Sequence, residues 1–170
     1  QFGFPVFNAD FEVKKIYRKN KKCYNKLKKI LPNYIKHFPI NKSKLADAIL
    51  ANKNNIKKIG KIVHPEVRSR MNNFLKKNMN KKFVVLDIPL LLENKINKRN
   101  FVLVFIDAKK KDINKRLKKR QNFKPEIVKR LRQIQLPLEI KKKYSNFILK
   151  NNFKINSVRK NVKMIIKQIN

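Results

Sequence analysis

Glycine is almost missing from this chain. Only Gly3 and Gly60 occur in 170 residues. A G-x-x-x-x-G-K-[ST] loop, whose backbone N–H groups would cradle phosphates, therefore occurs nowhere in it; Gly60-Lys61 is followed by Ile62. Tryptophan is absent. The one cysteine, Cys23, excludes an internal disulfide framework and a cysteine-based zinc site. It has no visible nucleophilic partner, and a reducing cytoplasm is the expected setting. No apolar run approaches the roughly 18 residues that span a bilayer, so no membrane partner is expected. The first residues carry neither a charged n-region nor a long apolar h-region, and no signal peptide is expected there. Acid is scarce as well: 10 Asp and Glu stand against 46 Lys and Arg, a formal charge of +36.

That charge has two readings. It suits a nucleic-acid or anionic-membrane partner. It also fits a compositional bias, because the excess is mostly Lys, spread with Asn and Ile over every expected helix. Either way the field attracts polyanions, nucleotides among them. A hydrophobic content of 42%, with 12 Phe, argues against disorder, and the length suits one domain with a modest insertion.

What the chain does have is a set of short apolar runs closed by acids. Phe83-Val84-Val85-Leu86-Asp87 reads as a strand buried on both faces, with Pro89 ending it because proline cannot donate to a ladder. Pro5-Val6-Phe7-Asn8-Ala9-Asp10 and Phe101–Asp107 share the pattern. Three of ten acids thus close the three clearest strands. In an open parallel sheet, ligands sit outside the carboxyl ends of strands, where an acid can hold a metal or take a proton.

Between the strands the spacing predicts helices. Asp10 is read as the cap of a helix reaching Tyr17, and residues 18–44 as short basic pieces broken at Pro32 and Pro39. Ser43 or Asn41 caps a helix over 44–51. Ile56, Ile59 and Val63 mark another that ends at His64-Pro65, and a longer one follows over 65–78. Beyond the central strand come a helical turn over 90–97, a helix over 111–120 and a loop with Asn122 and Pro125. A helix over 126–135, a short one from Pro137, a strand over 146–149 and an amphipathic helix over 155–169 complete the chain. Strands alternating with helices predict an α/β fold with a mainly parallel sheet and helices on both faces, residues 18–80 forming a helical insertion. The chain opens on a turn and a strand. A β–loop–α unit ahead of it would take about two dozen residues, and the expectation is that this first unit is missing.

Five pieces in order resemble the dephospho-coenzyme A kinase family of P-loop kinases. Gly3-Phe4-Pro5-Val6-Phe7-Asn8-Ala9-Asp10 resembles its G-x-P-V-[IF]-D-A-D, and Ile62–Arg68 its I-x-H-P-x-V-R. Leu86–Glu93 resembles L-D-x-P-L-L-[FL]-E, Arg116 with Arg120 the R-x-x-x-R lid segment, and Gln135–Lys141 the Q-x-P-x-E-x-K piece. Three departures stand out: Asn8 replaces the first acid of D-A-D, Asn146 and Lys150 replace both acids of A-D-x-V-I-D-N, and the phosphate loop is lacking.

The resemblance implies a P-loop kinase-like domain over 1–170, with an acceptor-binding insertion at 18–80 and a small lid at 108–136. It implies transfer of the ATP γ-phosphoryl group to the ribose 3′-hydroxyl of dephospho-coenzyme A, with magnesium as the metal. Without the phosphate loop, this chain alone is expected to be inactive. Asp10 would take up the hydroxyl proton and hold magnesium through water, or else only cap its helix. Asp87 would stand near the metal and phosphates, or cap a turn. Arg116, Arg120 and Asn151 would serve ATP and the lid, guanidinium groups suiting phosphate oxygens; the bland alternative is a solvated face. His64, Arg68, Pro89, Leu90 and Lys141 would hold the acceptor, or in the case of His64 simply mark a helix boundary. Glu93 would orient a nearby basic side chain, or else serve only as a surface residue. A monomer without a specific nucleic-acid partner is expected. The rival readings are a basic nucleic-acid-binding protein, which would want aromatics interleaved with Arg, and a P-loop kinase of nucleosides or nucleotides.

Overall fold

The structure, a computed structural model, describes residues 2–97, 100–121 and 123–169. The expected loop residue Asn122 lies outside them. The chain forms two compact units, Gln1–Pro89 and Leu90–Asn170.

The first unit contains strand β1 (Val6–Asn8), helices α1 (Ala9–Lys19), α2 (Lys21–Ile30), α3 (Lys42–Ala51) and α4 (Asn54–Lys77), and strand β2 (Val85–Asp87). The two strands are parallel, with Val6 opposite Val85, Phe7 opposite Leu86 and Asn8 opposite Asp87. Helix α4 is the frame of this unit. Its 24 residues make a rod of about 36 Å, and α1, α2 and α3 all pack on it. Ile59, Val63 and Met71 recur along one face and are buried. Ile16, Tyr17, Cys23, Leu27, Leu31, Ile35, Ile40, Leu45 and Ala48 join Ile59 and Val63 in one cluster.

Three sequence expectations change here. The break at His64-Pro65 does not occur: α4 runs straight through Pro65. Proline leaves the Lys61 carbonyl without its usual partner, yet the apolar stripe is continuous across the site, so tertiary packing outweighs one lost bond. Asp10 neither closes a strand nor caps the helix. β1 ends at Asn8, whose extended backbone and side-chain oxygen, accepting from Phe11 N–H at 2.8 Å, start α1. Asp10 falls in the first turn, where its charge complements the helix dipole. Finally, β2 is not buried on both faces. Val85 is 43% exposed, for among the described residues β2 pairs with β1 alone.

Caps join this unit together. Asn20 ends α1 and starts α2; its Oδ1 accepts from Cys23 N–H at 2.8 Å and its Nδ2 donates to Glu66 of α4 at 2.9 Å. Between Asn41 and Ser43 the structure selects Asn41, which accepts from Ser43 N–H. Buried Asn55 donates to Ala48 O at 2.8 Å, satisfying a carbonyl at the end of α3.

The second unit contains β3 (Val104–Asp107), α5 (Lys110–Lys118), α6 (Pro125–Gln133), α7 (Leu138–Lys143), β4 (Phe147–Lys150) and α8 (Ile155–Ile169). β3 and β4 are parallel, Asp107 lying opposite Lys150. Asp87 and Asp107 thus end their strands as expected. The stretch 90–97 contains the expected helical turn, closed by Asn94 N–H to Leu90 O and Ile96 N–H to Leu91 O. Helix α5 stops at Lys118, so Arg120 lies past its C-cap, Lys119, and off the helical face that carries Arg116. The fold is α/β with parallel strands, as the sequence implied.

Candidate active site

In the first unit, two acids gather at the carboxyl ends of β1 and β2. Asp87 is the last residue of β2 and lies opposite Asn8, the last of β1. The Asn8 amide works in two directions. Its Oδ1 caps α1, and its Nδ2 donates to Asp87 Oδ2 at 2.7 Å. Asp10 follows two residues later, exposed, in the helix turn that this cap starts. Sequence reasoning named both acids; it treated Asn8 only as a departure and missed the bond.

A cation joins this neighbourhood from α3. Lys42, at the start of that helix, has its ammonium pushed below the usual lysine range by desolvation first and by Lys14 next, with Asp10 acting in the opposite sense. Nothing in the sequence marked Lys42 among so many lysines, because its surroundings depend on how the helices pack together.

His64 and Arg68 are one turn apart on α4, and Gly60 is one turn before them, so all three line one face. The glycine explains itself there. A Cβ at position 60 would lie 3.1 Å from His64 Cε1 and 3.4 Å from Nε2. A mid-helix glycine costs about 1 kcal/mol relative to alanine, and what it provides is room for the imidazole. Elsewhere on α4, Arg70 meets Glu12 of α1 at 2.9 Å, and Lys15 meets the same side chain at 2.7 Å. Burial raises the Glu12 pKa, but the hydrogen bonds from Lys15 and Arg70 overcome it, so the carboxyl titrates below its usual range.

Cys23 is fully buried and its thiol is pushed up to about 11, by desolvation and then by Glu66. Such a thiol stays protonated and inert at neutral pH.

The second unit holds Leu90, Arg116, Arg120, Lys141 and Asn151. Lys141 Nζ meets Glu93 Oε1 at 2.7 Å, with both side chains largely buried, and also donates to Gln135 Oε1 at 3.2 Å. The same Glu93 oxygen accepts from Leu136 N–H at 3.0 Å. Glu93 therefore orients a basic side chain, as the sequence suggested, and that side chain is Lys141. Desolvation raises the Glu93 pKa; the hydrogen bonds from Lys141 and from backbone N–H groups more than reverse this and hold it low.

Arg116 lies over the Phe153 ring, 4.6 Å from guanidinium carbon to ring centre. Asn151 builds the turn that presents this ring. Its N–H donates to Asp107 O at 2.7 Å and its Oδ1 accepts from Phe153 N–H at 2.9 Å. Phe153 adopts a φ of 60°, uncommon outside glycine and asparagine. The structure thus brings Arg116 and Asn151 together through Phe153. Arg120 is exposed beyond the end of α5, and Pro89 is exposed just after β2.

A magnesium ion takes oxygen donors and keeps several waters, so one or two carboxylates and the substrate's phosphates suffice. Asp10 offers an exposed carboxylate, and Asp87 has its Oδ1 outside the Asn8 bond. Among the described residues no group of three His, Cys, Asp or Glu forms a closed cage. This donor set fits magnesium held largely through water.

Comparison with known proteins agrees with these elements. The family description "Dephospho-CoA kinase" matches residues 1–157. A dephospho-CoA kinase of Bacillus anthracis is 30% identical over 176 aligned positions, covering 100% of this chain and 87% of that protein. One from Wolbachia sp. subsp. Brugia malayi is 32% identical over 168, covering 98% and 86%. A Thermus thermophilus protein of known structure superposes with a TM-score of 0.74 at 24% identity, covering 99% of this chain and 86% of that one. The dephospho-CoA kinase from Campylobacter jejuni gives 0.63 at 24% identity, covering 98% and 85%. At these identities the likeness of the two structures is one of fold.

Proposed function

Because the chain belongs to the dephospho-CoA kinase family, we propose that its own acids, arginines and acceptor-side residues carry out phosphoryl transfer from ATP to dephospho-coenzyme A. The reaction joins the ribose 3′-oxygen to the γ-phosphorus and breaks that phosphorus's bond to the β–γ bridging oxygen, giving coenzyme A and ADP. ATP is the co-substrate. Catalysis of this kind is positioning, charge neutralisation and removal of one proton.

Asp10 is the base that takes the 3′-hydroxyl proton. Its exposure and its place on the first turn of α1 support this. Asp87 lies at the neighbouring strand end and complements the phosphate-bearing side. Asp10, through water, and Asp87 would hold magnesium, which when bound screens the charge of the transferring phosphoryl group. Arg116, steadied over Phe153, and Arg120 neutralise phosphate oxygens, and Asn151 shapes the ATP side by holding the Phe153 turn. His64 and Arg68 on the helical insertion 18–80, with Pro89, Leu90 and Lys141, position the coenzyme A moiety. Residues 108–136 act as the lid. The protein works as a cytoplasmic monomer without a specific nucleic-acid partner, its +36 charge serving at most to draw in anionic substrates.

The observation that carries this reading is the pairing of Asn8 with Asp87 beside the turn that bears Asp10. Asp10→Asn in the full-length protein tests it. We expect kcat to fall by on the order of 10²- to 10⁴-fold, the usual contribution of a positioned base, with KM for both substrates little changed. A kcat within a few-fold of the parent would remove Asp10 from the chemistry.

A further inference from the structure

Asn8 lies between the two acids to which the reading above gives the chemistry. Its side chain bonds the Asp87 carboxylate on one side and, on the other, a backbone N–H of the turn that carries Asp10. Its Oδ1 holds the Phe11 N–H, which sets where α1 begins and hence where Asp10 stands on the first turn. Its Nδ2 holds Asp87 Oδ2 at 2.7 Å across the end of the parallel pair. Only an amide can do both. A carboxylate at position 8 could cap the helix, but it has no hydrogen to offer an ionised Asp87, and like charges in contact cannot both stay ionised. A serine could cap as well, but a hydroxyl on one carbon is too short to cap and bridge together. An amide therefore serves both, donating to one Asp87 oxygen while its own oxygen caps the helix.

We propose that Asn8 is a positioning residue for phosphoryl transfer: its amide locks the Asp87 carboxylate to the helix turn that carries Asp10, fixing the two acids in one register. The claim rests on the assignment of Asp87 to the reaction and goes beyond it, giving Asn8 the task of orienting that acid rather than of binding substrate or metal. Its contribution is orientation. A carboxylate free to rotate about its χ angles spends most of its time away from the productive geometry, and small misplacements of this kind cost up to about 100-fold in rate.

The test is Asn8→Ser in the full-length protein, compared with Asp87→Ala and with the double variant. Serine keeps the cap, so the melting temperature is expected to stay within about 2 °C of the parent. We expect kcat to fall on the order of 10- to 100-fold with KM for ATP and dephospho-coenzyme A within a factor of about two, a split that a merely structural role would not produce. In the Asp87→Ala background the serine change is expected to cost nothing more, because the group it positions is gone. An unchanged kcat for Asn8→Ser while Asp87→Ala is impaired would overturn the positioning role alone. Losses that simply multiply in the double variant would do the same. An unimpaired Asp87→Ala would remove Asp87 from the reaction, and Asn8 with it. Should the serine variant fold poorly, the Asn8 side-chain amide protons in ¹⁵N-labelled parent protein decide the matter. They are expected to move upfield in Asp87→Ala if the bond exists in solution, and an unmoved resonance would sink the proposal.

Discussion

In Gln1–Pro89, side chains from four helices close over one another until Ile16, Cys23, Leu27 and Ala48 show no exposed surface at all. In Leu90–Asn170, Leu149 is the one apolar side chain buried to a similar degree among the described residues, at 5% exposure, and helices α5 to α8 have none. The difference starts in the sequence. α2 puts Cys23, Tyr24, Leu27 and Ile30 on ten residues, whereas the nine of α5 carry only Ile113 and Leu117 among lysines. It is then enlarged by architecture. α4 offers three other helices a common surface, and the second unit has no rod of that length. Buried apolar area is the main source of stability, and regions with little of it open more readily. The two carboxylates stand on the well-buried unit, and Arg116 and Arg120 on the sparsely buried one.

The most severe way to challenge this contrast is to hollow out the first unit. Leu27→Ala should cost roughly 2–5 kcal/mol, read as a lowered midpoint in urea unfolding. Leu117→Ala, its half-buried counterpart on α5, should cost nearer 1 kcal/mol. Equal losses would show that the two units are no differently packed. An intermediate effect is expected from Glu93→Gln, because the Glu93–Lys141 pair is the buried polar anchor of the second unit. Losing the carboxylate leaves Lys141 without its counter-ion and should cost about 1–3 kcal/mol at neutral pH. The pH dependence sharpens this. The Glu93 carboxyl titrates below its ordinary 4.5 in the folded protein, so its stabilisation stands in full above that value. It fades as pH falls through the lowered folded pKa. Parent and variant unfolding curves should therefore converge in acid; a gap that persists there would mean the charge is not what matters. The smallest change is expected from Gly60→Ala. Alanine gains up to about 1 kcal/mol of helix propensity and loses part of it by pressing on the His64 ring, so stability should move by less than that. The sharper readout is kinetic: KM for dephospho-coenzyme A should rise while KM for ATP holds. Unchanged kinetics would detach His64 from the acceptor.

Much of this was legible beforehand, and the residues show why. Asp87 and Asp107 end their strands as their apolar runs implied, because a charged residue after a buried run is a local signal. Asn41 was one of two cap candidates for the same reason. Pro65 misled because proline's local penalty is visible in sequence and the packing that overrides it is not. Asp10 was given a capping task that belongs to Asn8, since the two polar residues are indistinguishable until the backbone shows where extension turns to helix.

By itself the order of residues determined the class of fold, the parallel strands, the family and which acids to suspect, because periodicity, strand-ending acids and motif spacing are all local along the chain. Only the tertiary structure decided that Asn8 answers Asp87, that Glu93 answers Lys141, that Gly60 makes room for His64, and that Phe153 lies under Arg116. Three of these pairs join residues far apart in the chain, and the fourth depends on how a side chain lies along its helix. Nothing in a one-dimensional pattern carries that distance.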